Sequence, residues 1–212
     1  MQTRRPWLRR ASVTAVSAAA LVAMAAPADA ATTAQASTAA TAAATTAAAV
    51  DYATWQKDCQ AVMDQALPYL KQRIAATKPG EKQAIVFDID NTTLETDFGF
   101  SYPQPANKPV LEVARYAQER GVALFFVTAR PDIIHSFTEY NLKQAGYQVS
   151  GLYVRNFIDL FKNVAEYKTA QRVDVEKKGY TIIANIGNSA TDLSGGHAEK
   201  TYKLPDYDGQ LS

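Results

Sequence analysis

Residues 84–93 read Ala84-Ile85-Val86-Phe87-Asp88-Ile89-Asp90-Asn91-Thr92-Thr93 (AIVFDIDNTT). Four apolar residues lead into two aspartates one residue apart. A short, unbroken apolar run with β-branched members reads as a strand buried on both faces, the kind a helix-flanked parallel sheet needs. Side chains at i and i+2 of an extended segment point the same way, so Asp88 and Asp90 are expected to share a cleft. Two unit charges about 6 Å apart repel by roughly 3 kcal/mol at an effective dielectric near 20. Such a pair needs a cation beside it, or a proton on one member.

Before this run, apolar residues recur at helical steps from Asp51 to about Thr77, through Trp55, Cys59, Val62, Met63, Ala66, Tyr69, Leu70 and Ile74. Pro68 predicts a kink or break in that N-terminal helix, and Pro79-Gly80 closes it. After the aspartates, 91–109 reads as loop, with Gly99, Pro103, Pro105 and Pro109. A helix follows from about Val110 to Glu119, stopped by Gly121. A second buried strand, 122–127, ends at Thr128-Ala129-Arg130. Pro131 suits the first turn of the next helix, which runs to about Ala145 and stops at Gly146. A weaker strand at 151–154, a helix from about Val164 to Lys178 and a strand at 181–186 complete the pattern. The last strand runs into Gly187-Asn188-Ser189-Ala190-Thr191-Asp192.

Strands alternating with helices predict an α/β fold: a central parallel sheet between helical layers, a three-layer sandwich. Ligands of such sheets gather beyond the carboxyl ends of the strands. Those ends deliver Asp88 and Asp90, then Thr128 and Arg130, then Asn188 and Asp192, with Lys168 on the helix before the last strand. A carboxylate nucleophile, a second carboxyl group to move protons, a hydroxyl, an ammonium and oxygen-rich metal ligands suit phosphoryl transfer. Oxygen donors without histidine select Mg²⁺ over Zn²⁺. On this reading Asp88 attacks phosphorus, Asp90 is the acid and base, and Thr128 and Lys168 hold phosphoryl oxygens. Arg130 is a candidate substrate contact, with a surface salt bridge as the equal alternative.

AIVFDIDNTTLET, FFVTAR, EYKTAQR and NIGNSATDL resemble, in order, the four motifs of the haloacid dehalogenase superfamily. With the closing stretch Thr201-Tyr202-Lys203-Leu204-Pro205, their spacing is similar to that of the acid phosphatase branch, class B and plant-type. The resemblance covers about 51–208. It implies a Rossmann-like fold, Mg²⁺ and hydrolysis of small phosphomonoesters through an aspartyl phosphate. It assigns the metal to Asp88, the backbone carbonyl of Asp90 and the fourth motif. That motif usually opens Gly-Asp; here it reads Gly187-Asn188, and the later acid is Asp192. Asn offers an amide oxygen without charge, so either the metal binds less tightly through Asn188 or Asp192 moves to direct coordination; both alternatives stay open. About forty residues separate Asp88 from Thr128, and forty more Thr128 from Lys168, which leaves room for a minimal cap or none. Transfer of the phosphoryl group to an alcohol shares the same intermediate and remains an alternative. So does a secreted, non-enzymatic storage or binding relative. A signalling receiver domain is disfavoured by Asp90 and by the leader.

Residues 1–30 read as an export signal: Arg4, Arg5, Arg9 and Arg10, an apolar run, and Ala28-Asp29-Ala30 for cleavage. Thr3-Arg4-Arg5-Pro6-Trp7-Leu8-Arg9 also fits a twin-arginine signal; the Sec and twin-arginine routes stay open, and secretion is the expectation from either. Residues 31–50, almost all Ala and Thr, read as a disordered linker, which leaves 51–212 as the phosphatase domain. Losing the signal's four Arg and one Asp takes the net charge from +1 to −2, no footprint for a nucleic-acid polymer or an anionic membrane. No cysteine follows the signal closely, so no lipid anchor is expected. Cys59 stands alone and forms no internal disulfide. His135 and His197 lie outside any metal spacing and read as surface residues. The eleven Tyr and eight Phe are expected mostly in the core. A homo-oligomer is left open.

Overall fold

The apolar run around Val86 is the middle strand of a five-stranded sheet. In the computed structural model, which describes residues 49–211, β1 (Lys82–Phe87) lies between β2 (Ala123–Pro131) and β4 (Tyr180–Gly187). β3 (Gly151–Arg155) and β5 (Thr201–Lys203) form the edges, and all four pairings are parallel. The predicted export signal and most of the Ala/Thr linker lie outside the described residues. No inserted domain interrupts the alternation among the described residues, in keeping with the minimal cap.

Alternation along β1 sorts its side chains between two cores. Ile85 and Phe87 face the larger one, with Trp55, Met63 and Leu70 of α1 (Tyr52–Ala75) and Val110 and Val113 of α2 (Lys108–Gln118). Ala84 and Val86 face the smaller one, with Tyr167 and Val175 of α4 (Val164–Lys177). The same parity carries Asp88 toward α4. This is how a strand pattern aims a carboxylate at a particular helix.

The structure differs from the sequence expectations at several points. Pro68 does not break α1, which runs through it for 24 residues. Pro68 is exposed, as is Asp64, whose carbonyl loses its helical partner. Trp55, Met63, Leu70 and Ile74 are buried on the other side. Each large buried side chain contributes about 1.5–3 kcal/mol, so together they outweigh the roughly 3 kcal/mol that an interior proline costs. Pro131 is not in a first helical turn: it ends β2 and precedes a 3₁₀ turn (Asp132–Ile134) that leads into α3 (His135–Ala145). Its pairing with Arg155 of β3 prolongs the strand. The role expected of Pro131 belongs instead to Pro109, in the first turn of α2. β5 went unread because only Tyr202 of its three residues is buried. Of nineteen Tyr and Phe side chains, six are buried and seven exposed, so the aromatics are not mostly core.

Candidate active site

Lys168, Arg172 and Val175 form one buried stripe on α4, at four- and three-residue steps. Val175 packs on the sheet, which leaves Lys168 at the carboxyl ends of the strands. Its Nζ donates to Asp88 Oδ1 at 2.6 Å and to Asp192 Oδ1 at 2.5 Å. All three side chains are buried. They make the floor of a cavity of about 320 Å³ that Asp90, Arg130 and Asn188 also line. A second opening, of about 400 Å³, lies at the opposite end of the sheet among Lys82, Gln118, Arg120 and Tyr180 and holds none of the predicted site residues.

Asp192 is held from several sides. It sits in α5 (Ala190–Leu193), where Ser189 at the N-cap donates its backbone N–H to Asp192 Oδ2 at 2.7 Å. The buried Arg172 donates to the Asp192 carbonyl at 2.8 Å and to the Gly196 carbonyl at 2.9 Å, and it also reaches Ser194. Asn185 Nδ2 donates to the same Asp192 carbonyl at 2.9 Å. Gly187 makes this packing possible: a Cβ there would stand 2.4 Å from the Asp192 Cβ. Asn188 is fixed as well, its Nδ2 donating to the Leu211 carbonyl at 2.6 Å and its Oδ1 accepting from the Thr92 hydroxyl at 3.3 Å.

The rim is built differently. Arg130 grips the Asp90 carboxylate, Nη2 to Oδ1 at 2.8 Å and Nε to both oxygens at 3.2 and 3.1 Å. Its Nη2 also donates to Gln104 Oε1 at 3.0 Å. Asn141 of α3 clamps Gln104 by its backbone, with two hydrogen bonds of 2.8 Å. Thr128 lies behind the rim. Its hydroxyl accepts from the Arg130 N–H at 3.1 Å and stands 3.5 Å from Asp90 Oδ2. Arg130 is therefore neither an idle surface pair nor free for substrate in this state; it is committed to Asp90. Sequence reasoning missed four supporting residues. Arg172, four residues after Lys168, and Thr92, in the first motif, had a visible signal in their spacing. Gln104 and Asn141, in a loop and on an amphipathic helix, had none.

The electrostatics of the floor follow from its composition. Burial pushes the Asp88 carboxyl up, to about 7; Lys168 opposes the rise, and Asp192 and Asp90 add to it. Burial works against the Lys168 ammonium, but Asp88 and Asp192 outweigh it and hold its pKa above the usual lysine value. Burial drives the first shift and the two carboxylates the second; with two buried carboxylates on one ammonium, the floor is short of one positive charge. The side-chain donors lining the cavity floor are oxygens, from Asp88, Asp192 and the Asn188 amide, which fits a hard divalent cation. The third carboxylate that lines the cavity, Asp90, is taken up by Arg130, and the described residues hold no group of three or more His, Cys, Asp and Glu arranged for a metal. Both Asp192 oxygens are engaged, by Lys168 and the Ser189 N–H, and the Asn188 amide oxygen by the Thr92 hydroxyl.

A family model described as HAD superfamily, subfamily IIIB (acid phosphatase) matches residues 9–104 and 100–210. The chain belongs to this family. Among curated proteins, this acid phosphatase family member is 33% identical over 119 residues to the Stem 28 kDa glycoprotein of Glycine max, across 54% of this chain and 47% of that protein. A Stem 31 kDa glycoprotein of the same plant is 26% identical over 174 residues, across 71% of this chain and 67% of that one. Another Stem 31 kDa glycoprotein matches at 33% over 119 residues, 41% of its length. The chain thus spans about half the length of the first two relatives by identity. Among solved structures, the class C acid phosphatase from Bacillus anthracis superposes with a TM-score of 0.60 at 15% identity, over 74% of this chain and 80% of that one. Its tungstate-bound form gives 0.58 at 14% identity. At those identities the likeness establishes the fold, a Rossmann-like α/β sandwich, as expected from the sequence.

Proposed function

We propose that this chain is a secreted, Mg²⁺-dependent acid phosphatase that hydrolyses phosphomonoesters through an aspartyl phosphate on Asp88. The observation that carries the reading is the position of Lys168 Nζ, 2.6 Å from Asp88 and 2.5 Å from Asp192, in the cavity that Asp90 also lines. An ammonium beside a buried carboxylate suits a site where phosphoryl oxygens arrive next to a nucleophile. Family membership supports the reaction class.

In the first half-reaction an Asp88 oxygen attacks phosphorus, the ester P–O bond breaks, and Asp90 gives the leaving oxygen a proton. In the second, Asp90 takes a proton from water, the water oxygen attacks phosphorus, and Asp88 is released with inorganic phosphate. Lys168 holds the equatorial oxygens; the Thr128 hydroxyl, behind the rim on Arg130 and Asp90, would join it only by turning toward the cavity. Arg130 sets the direction from which Asp90 meets the leaving group. Asp90 Oδ2 lacks the 2.8 Å guanidinium contact that Oδ1 has, and meets Arg130 Nε at 3.1 Å and the Thr128 hydroxyl at 3.5 Å; it is the one that would carry the proton. Mg²⁺ held by Asp88, the Asp90 carbonyl and Asn188 would supply the positive charge that the floor lacks and help neutralise the phosphoryl group. Transfer to an alcohol instead of water would use the same steps with a different acceptor.

Secretion rests on residues 1–30, whose charged start, apolar run and small-residue site have the pattern of an export signal. No helix among the described residues is long and apolar enough to cross a membrane. The test is turnover of a chromogenic aryl phosphate in Mg²⁺. The protein should be active and Asp88→Asn inactive. Equal rates in both would refute the nucleophile; no turnover in either, on a broad panel of phosphomonoesters, would favour the non-enzymatic relative.

A further inference from the structure

Ten large apolar side chains are exposed among the described residues, and nine of them lie in three short segments. These are 97–105, 132–140 and 156–162, which follow β1, β2 and β3 at the same end of the sheet. The pairing of Pro131 with Arg155 sets two of the segments side by side. Ile133 and Phe157, each two residues beyond that pair, are 83% and 73% exposed. Tyr102 joins the third segment to the same face, with its ring 6.2 Å from that of Phe137 and its hydroxyl donating to the Phe137 carbonyl at 3.0 Å. Tyr102, Ser136, Phe137 and Tyr140 line an open, apolar cleft of about 280 Å³.

The turn at 156–162 is built to present apolar groups. Arg155 is buried, and its guanidinium donates to the Asp159 carbonyl at 2.5 and 3.0 Å and to the Lys162 carbonyl at 2.7 Å. Asn156 Oδ1 accepts from the Asp159 N–H at 2.9 Å, and Lys162 Nζ pairs with Asp159 at 2.7 Å. With its polar groups satisfied inside the turn, Phe157, Ile158 and Phe161 point to solvent, each more than two-thirds exposed. A preordered knob binds with little loss of conformational entropy.

We propose that this face docks a second copy of the chain, the 157–161 knob of each copy entering the 102/137/140 cleft of the other. A knob and a cleft on one face satisfy a two-fold axis, because each meets its complement when the face is turned on itself. The size also fits. Large apolar side chains bury about 150–250 Å² each, so the nine, at their observed exposure, offer on the order of 1,000 Å². A standard interface takes about 800 Å² from each partner, whereas monomers rarely expose a contiguous apolar patch above a few hundred Å². A lipid surface fits less well. The three segments carry four Asp or Glu and one Lys, and interfacial anchors favour a basic collar. The chain's own residues 31–48 offer almost only Ala and Thr, too little bulk for the cleft.

The test is the mass of the purified protein by sedimentation equilibrium, with no substrate present, so it stands apart from the phosphatase reading. A dimer is expected, and its mass should halve in Phe157→Ser/Phe161→Ser and again in Phe137→Ser. Circular dichroism should show unchanged folding, since the replaced groups are exposed. A monomer at all concentrations overturns the proposal, as does a dimer that survives both variants. A monomer that sediments with phosphatidylcholine vesicles, and ceases to in Phe157→Ser/Phe161→Ser, assigns the face to a lipid surface and also overturns it.

Discussion

The floor and the rim of the candidate site use the same chemistry in two settings. On the floor, Asp88 and Asp192 share Lys168, and the three side chains are 2–6% exposed. On the rim, Asp90 has Arg130 to itself, at 35% and 15% exposure. The rim pair is neutral and partly wet, so water and the guanidinium together satisfy it. The floor carries one carboxylate too many in a place where charge is costly. Its rigidity comes from the surroundings, Arg172, Asn185 and the Ser189 cap, which keep the two carboxylates together despite their repulsion. The difference assigns tasks. An under-neutralised, dry floor attracts a cation, and only with that charge supplied would it stop repelling an anionic phosphoryl group; a neutral, accessible rim can exchange protons with water.

The largest effect on stability should come from breaking the floor. Lys168→Met leaves two buried carboxylates unpaired, and losing one partner of a buried pair costs about 3–5 kcal/mol. Chemical denaturation near neutral pH would measure it, and a loss no larger than that of a rim variant would erase the contrast. Gly187→Ala should follow, because its Cβ would stand 2.4 Å from the Asp192 Cβ. Overpacking of this kind costs about 1–3 kcal/mol. A variant as stable as the parent would mean that Asp192 is loosely held.

The floor should also report pH. Asp88 rises from an ordinary 3.8 to about 7 because of burial, so without metal the folded state holds that proton more tightly than the unfolded chain. The resulting stability is full below about 3.8 and is lost as pH rises through about 7. In chelator, the melting temperature should fall from about pH 5 to pH 8 more steeply for the parent than for Asp88→Asn, and Mg²⁺ should flatten the slope. Parallel slopes would deny the floor its missing charge. The smallest effect on stability belongs to the rim. Arg130→Gln should cost about 1 kcal/mol, as partly exposed pairs do, yet lower kcat roughly 10- to 100-fold through a misaimed Asp90. A change in KM alone would make Arg130 a substrate contact after all.

Much of this was legible because the site sits at strand ends. The period-two rule put Asp88 and Asp90 in one cleft, and both line one cavity; a buried strand followed by Asp-x-Asp marked where to look. Lys168 could be placed only by motif order, since a lysine on a helix has no local sign of burial; its stripe with Arg172 and Val175 shows the cause. Pro131 and Pro109 exchanged roles because strand pairing to Arg155 overrode a helical preference. The rim's wiring through Gln104 and Asn141 was invisible, because it depends on which loop a distant helix touches. The exposed aromatics misled, since composition alone cannot tell a core ring from one turned toward solvent.

The most direct test of the central claim is to quench the protein in acid during turnover of a ³²P-labelled phosphomonoester with Mg²⁺ and map the label. The label should sit on the peptide containing Asp88, be labile to base as an acyl phosphate is, and be absent in Asp88→Asn. Steady turnover with no label, or with label on another residue, would contradict the account.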